Sequence, residues 1–161
     1  MKRSVSILLA LMLAVCISAA GAPKSVYEAV LMTDTYEDVT ARYGVGTAVG
    51  DYLNYGDALL AFYESGRLQA KGLYYEDIRE VAATTEGDFA SVRNFKQGTE
   101  LKELTAIPGE GREIMCMNLA DEDDAGQRKL YAWNDAEGNV LEALVELDDG
   151  EWLLFAIGEI R

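Results

Sequence analysis

The chain contains no histidine, and its two cysteines are Cys16 and Cys116. Beyond residue 22 the serines are Ser25, Ser65 and Ser91. A Ser–His or Cys–His nucleophile therefore has no base within one chain. Cys116 sits in Glu113-Ile114-Met115-Cys116-Met117-Asn118-Leu119, an apolar strand-like run that marks a buried, inert thiol. Carboxylates are abundant, at 28 Asp and Glu, and densest in Asp121-Glu122-Asp123-Asp124. That run lacks the alternating ligand spacing and central glycine of a calcium loop, so it reads as a solvated loop. No catalytic residue, metal or cofactor is expected, and the chain is not read as an enzyme.

One further motif bears on chemistry. Residues 40–52 hold Gly44, Gly46 and Gly50 in a G-x-G-x-x-x-G pattern. A dinucleotide-binding loop needs a strand before its first glycine and a helix after its last. Here a helical pattern precedes and a strand pattern follows, and G-x-G recurs at Gly109 and Gly111. The motif is a structural joint on this reading.

The elements that would position any site begin after an export signal. Lys2 and Arg3 are followed by a nearly apolar run over 7–15 and small residues over 18–22, so residues 1–20 read as a secretory signal peptide cleaved after Ala20. Leu13-Ala14-Val15-Cys16 also resembles a lipobox, and the membrane is reached only if Cys16 is lipidated. A secreted or cell-envelope protein is expected in either case. Removing Lys2 and Arg3 leaves 12 basic against 28 acidic residues, a net charge of −16. Such a surface repels nucleic acid and anionic head groups and suits a protein partner with a basic surface.

Residues 24–32 and 35–43 carry apolar residues at helical spacing. Thr35-Tyr36-Glu37-Asp38 is a capping box, and Gly44 follows where a left-handed cap belongs. Strand patterns cover 58–63 and 68–74; residues 75–88 are polar and read as a linker. Helical spacing returns over 89–95 and 100–107, and strands follow at 113–119, 129–134, 140–147 and 152–157. The halves match at a shift of 65 residues, which pairs Val39 with Leu104, Gly44 with Gly109 and Gly46 with Gly111. A shift of 84 then pairs Gly66 with Gly150, the extra residues falling near 120–127. The expected organisation is α+β, with a repeat over 24–78, a linker over 79–88 and a second repeat over 89–161. Each repeat is a helix-turn-helix on an antiparallel β-meander.

That arrangement resembles the repeat of β-lactamase inhibitory proteins, whose fold is shared with small outer-membrane assembly lipoproteins. Thr33-Asp34-Thr35-Tyr36-Glu37-Asp38-Val39 and Gly98-Thr99-Glu100-Leu101-Lys102-Glu103-Leu104 are similar to the start of the family's second helix. The resemblance implies a concave, aromatic-lined sheet surface that clasps a protein. It also implies a role for Gly50-Asp51-Tyr52, similar to the inhibitors' Asp-Tyr loop. This chain departs from the family in lacking cysteines for a disulfide in each repeat. Alternation in the strands predicts Leu141, Ala143, Val145 and Leu147 against the helices, with Leu59, Ala61 and Tyr63 inside the first repeat. It leaves Ala58, Leu60 and Phe62 on the open face, followed in the last strand by Leu153, Phe155 and Ile157. The partner-binding candidates are Asp51, Tyr52, Tyr55, Phe62, Tyr131, Trp133 and Phe155. A cell-envelope scaffold or lipoprotein without inhibitory activity is the alternative reading.

Overall fold

A computed structural model describes residues 25–122 and 125–161, so the expected signal peptide over 1–20, Cys16, Asp123 and Asp124 lie outside the described residues. The fold is α+β, dominated by one antiparallel sheet. In chain order it runs α1 (Val26–Ala29), α2 (Tyr36–Tyr43), β1 (Thr47–Val49), β2 (Tyr52–Asn54), β3 (Ala58–Phe62) and β4 (Leu68–Leu73). Then come α3 (Ile78–Val81), β5 (Ala83–Thr84), α4 (Phe89–Val92) and α5 (Leu101–Thr105). The chain ends in β6 (Arg112–Asn118), β7 (Gln127–Asn134), β8 (Val140–Asp148) and β9 (Glu151–Ile160). The spatial order is β1-β2-β3-β4-β6-β7-β8-β9, with β5 parallel to the end of β7.

Local chemistry accounts for the element ends. The Thr35 hydroxyl accepts from the Asp38 amide at 3.2 Å, and the Asp38 carboxylate accepts from the Thr35 amide at 3.0 Å. Two orphan donors of α2 are thereby satisfied. Gly44 ends the helix at φ +78°, a conformation that costs a side chain its Cβ clearance. Asp149 and Gly150 both have positive φ, the two-residue turn that matches the twist of the β8–β9 hairpin.

The second glycine of each G-x-G serves packing. A Cβ on Gly46 would lie 2.6 Å from the Tyr55 ring, and one on Gly111 would lie 2.5 Å from the Trp133 indole. The backbone passes directly over an aromatic ring in both places.

Two apolar clusters hold the helices to one face of the sheet. In the first, Tyr27, Val30 and Val39 meet Ala58, Leu60 and Leu68; in the second, Phe89, Val92 and Leu104 meet Trp133, Leu141, Ala143 and Leu154. Burial of Leu141, Ala143 and Val145 follows the alternation read from β8. Residues 58–63 run opposite to expectation. Ala58 and Leu60 are fully buried, while Leu59 and Ala61 are not. An 84-residue shift is one residue off for β3, and a one-residue slip exchanges the faces of a strand. In β9 a bulge opposite Leu144 and Val145 turns Ile157 inward against the second cluster and leaves Ala156 exposed.

Residues 75–88 hold structure of their own. α3 and β5 lie there, and Tyr75, Ile78, Val81 and Ala82 pack on the cluster that includes Ala132 and Val140. Trp133 and Leu141 face α4 and α5, so their neighbours Ala132 and Val140 face the other way. The linker therefore covers one end of the face that the helix pairs leave bare.

Candidate open-face binding site

Strand register builds the site. Residues paired across neighbouring strands share a face, so a chain of pairs defines a row of side chains. One row runs Leu59, Gly72, Met115, Leu130, Leu144 and Ala156. Its neighbour runs Ala61, Ala70, Met117, Arg128, Glu146 and Leu153. Both lie opposite the helix pairs, because the intervening row of Leu60, Lys71, Cys116, Lys129 and Val145 contains the core. Five inter-strand gaps of about 4.8 Å make each row about 24 Å long. All but two of these twelve residues are half-buried; Gly72 is buried and Ala156 exposed.

The only charges in the rows neutralise each other. Arg128 Nη2 lies 2.8 Å from Glu146 Oε2, with Nε at 2.9 Å from the same oxygen. The guanidinium also stacks 4.0 Å over the Phe155 ring. No charge is left unpaired within the two rows, although Glu142 on one side and Asp148 and Glu151 on the other flank them on the same face; the apolar side chains between favour contact with another apolar surface over water. Tyr75 borders the rows, its hydroxyl held above the usual phenol range by burial and then by Glu142.

The helix face of the same strands is polar in its middle and internally paired. Lys71 donates to the carbonyls of Tyr27 and Val30 at 3.0 and 2.9 Å, closing the end of α1. Tyr27 donates to Glu113 at 3.0 Å, and Lys129 pairs with the other oxygen of Glu113 at 2.9 Å. Burial opposes the charge of Lys129, and Glu113 more than offsets it, so its ammonium is held above the ordinary lysine range. Burial, then Glu113, likewise pushes the Tyr27 hydroxyl up. Burial and then Glu113 push the Cys116 thiol up to about 11, leaving it protonated and unreactive at neutral pH. Among the described residues no group of three His, Cys, Asp or Glu is arranged to hold a metal ion.

The seven sequence candidates divide between the two faces. Tyr52, 40% exposed, shares the open face with Leu59 through the β2–β3 register, and Phe155, 39% exposed, lies under Arg128 on that face. Asp51 is exposed in the turn that joins β1 to β2. Four placements are corrected. Trp133 is fully buried in the second core cluster, and its indole N–H donates to the Gly109 carbonyl at 2.9 Å. Tyr131 packs beside it, ring centroids 6.3 Å apart, on the helix face. Phe62 packs against the first cluster and meets the Tyr36 ring edge-on at 5.5 Å. Tyr55 packs against that cluster too, its ring lying over Gly46. Aromatic area is worth most where helices can cover it, which is why these rings face inward.

Sequence reasoning missed Met115, Met117, Leu130 and Leu144. Residues 113–119 are nearly all apolar, so their alternation carries no sign of which side is wet. Comparison with protein-family models, curated proteins and solved structures yields no match.

Proposed function

We propose that the chain is an exported, non-catalytic protein-binding module that seats a basic partner protein on the open face of its sheet. The observation that carries this reading is the pair of largely apolar rows spanning six strands, uncovered by any described residue beyond the linker and internally neutral. Exposed contiguous apolar surface on a folded domain marks an interaction site, and its aromatic neighbours Tyr52 and Phe155 are the residue types that anchor interfaces. The surplus of acidic residues elsewhere steers a positively charged protein toward the face.

In the same reading the chain is a duplicated helix-helix-meander, resembling β-lactamase inhibitory protein repeats. Support comes from equivalences at a shift of 65 residues. Val39 and Leu104 are both fully buried, and Gly44 and Gly109 both have positive φ and both donate to a threonine carbonyl four residues back. Gly46 and Gly111 both lie against an aromatic ring. Thr35 and Glu100, each preceding the second helix of its pair, form isolated bridges to Arg67, just before β4, and to Leu153, near the start of β9.

The test is site-specific photo-crosslinking in the envelope and medium of the producing organism. A photoreactive residue at Leu144 should give a discrete protein adduct, and one at Glu37, exposed on α2, should not. Leu144→Glu should remove the adduct obtained from Met117 while leaving the unfolding midpoint within about 1 kcal/mol of the parent. Equal adducts from Leu144 and Glu37, or none from Leu144, would refute the assignment.

A further inference from the structure

The open face is not uniform. At its first-repeat end a cavity of about 270 Å³ opens between Tyr52, Leu59, Gly72, Tyr74, Tyr75 and Met115. An apolar cavity of about 150 Å³ suffices to hold a benzene molecule, so this one has room for a large aromatic side chain. Its floor is Gly72, which pairs with Leu59 and Met115 and supplies no side chain of its own. A Cβ there would meet Met115 Cε at 3.7 Å and the Ile114 carbonyl at 3.8 Å, which is ordinary contact. A methyl is thus accommodated at the position without a clash.

The polar groups free to meet an occupant are neutral or acidic. Tyr52, Tyr74 and Tyr75 contribute three hydroxyls with no hydrogen-bond partner among the described residues. Glu142 shares the open face through its pairing with Ala132, acts on the Tyr75 hydroxyl at the edge of the cavity, and is in no ion pair among the described residues. The one lining cation, Lys71, spends its ammonium on two carbonyls of the opposite face. An occupant therefore finds an aromatic slot, hydroxyls that accept or donate, and unpaired negative charge at the rim.

We infer that this cavity takes one large aromatic side chain from a partner-protein loop in which lysine or arginine flanks that residue. The inference rests on the reading of the open face as a binding surface. Buried aromatic anchors in pockets carry most of the energy of an interface, and flanking charge sets orientation and on-rate.

The probe is a cyclic peptide with a central tryptophan flanked by lysines, titrated into the protein with methyl-labelled methionine. Met115 lines the cavity, Met117 lies in the neighbouring row, and Met32 packs on the helix-side cluster as an internal reference. The tryptophan peptide should shift the Met115 methyl and leave Met32 unmoved. Replacing its tryptophan by alanine, or its lysines by glutamates, should weaken binding about tenfold or more. Gly72→Val fills the slot with a residue that strands favour, so it should weaken binding to the same degree while the protein stays at least as stable. No Met115 shift at millimolar peptide, equal binding of the alanine peptide, or parent-like binding to folded Gly72→Val would each overturn the inference. If Leu144 still yields its adduct in that event, the open-face reading stands without the pocket; if that adduct is also missing, both fall.

Discussion

Gly111→Ala should destabilise this protein more than any glycine substitution at a turn. The new methyl would sit 2.5 Å from both Cε2 and Cζ2 of Trp133 and 3.0 Å from Cη2. Carbon atoms prefer about 3.5–4.0 Å, so ring or backbone must move by about 1 Å. Neither has room. The indole is fully buried among Phe89, Leu104, Leu141 and Leu154, and its N–H is held by the Gly109 carbonyl. Overpacking of a dense core costs about 1–3 kcal/mol. Losing the indole bond leaves a buried donor and acceptor unpaired, a further penalty of about 1–3 kcal/mol. The expected loss is about 2–6 kcal/mol, a large fraction of the stability of a single domain. Urea unfolding followed by circular dichroism reads it as a lower midpoint at constant slope. The decisive assay is a double-mutant cycle with Trp133→Leu, in which Gly111→Ala should cost less than 1 kcal/mol because the opposing ring is gone. A single mutant within about 0.5 kcal/mol of the parent, or strictly additive effects, would refute the reasoning.

Trp133→Ala should itself lower stability by about 3–5 kcal/mol, since it empties the second core cluster; a folded variant with parent-like unfolding would contradict the burial of the ring. Thr35→Ala removes one arm of the α2 capping box and should cost about 1 kcal/mol by urea titration, whereas Thr35→Ser should cost much less. Alkaline pH should destabilise the fold. An unfolded thiol ionises near 9.0 and folded Cys116 near 11, so the unfolded state sheds its proton first and stability falls as pH climbs between those values. The expected amplitude is on the order of 2 kcal/mol, with Tyr27 adding in the same direction, and Cys116→Ala should flatten part of the slope. A midpoint independent of pH from 9 to 11 would count against the burial of that thiol.

Local rules were legible in the sequence because they act over a few residues. Thr35 and Asp38 close their box within one turn, Gly44 and Gly109 end helices by backbone conformation, and the Asp149-Gly150 turn depends on its own two residues. Alternation likewise showed that Tyr131 and Trp133 share a face, as do Leu141, Ala143 and Val145. Which face is buried was a different matter. A strand pattern has period two and no sign, so only the helices packed on it decide the inside. α4 and α5 claimed Trp133 for the core, and α3 covered Ala132 and Val140 from the far side. The bulge in β9 reversed Ala156 and Ile157, because one extra residue shifts every later side chain across the sheet. Met115, Met117 and Leu144 became surface for the same reason. Their apolar chemistry was written in the chain, but their exposure depends on where the two helix pairs and the linker stop covering the sheet.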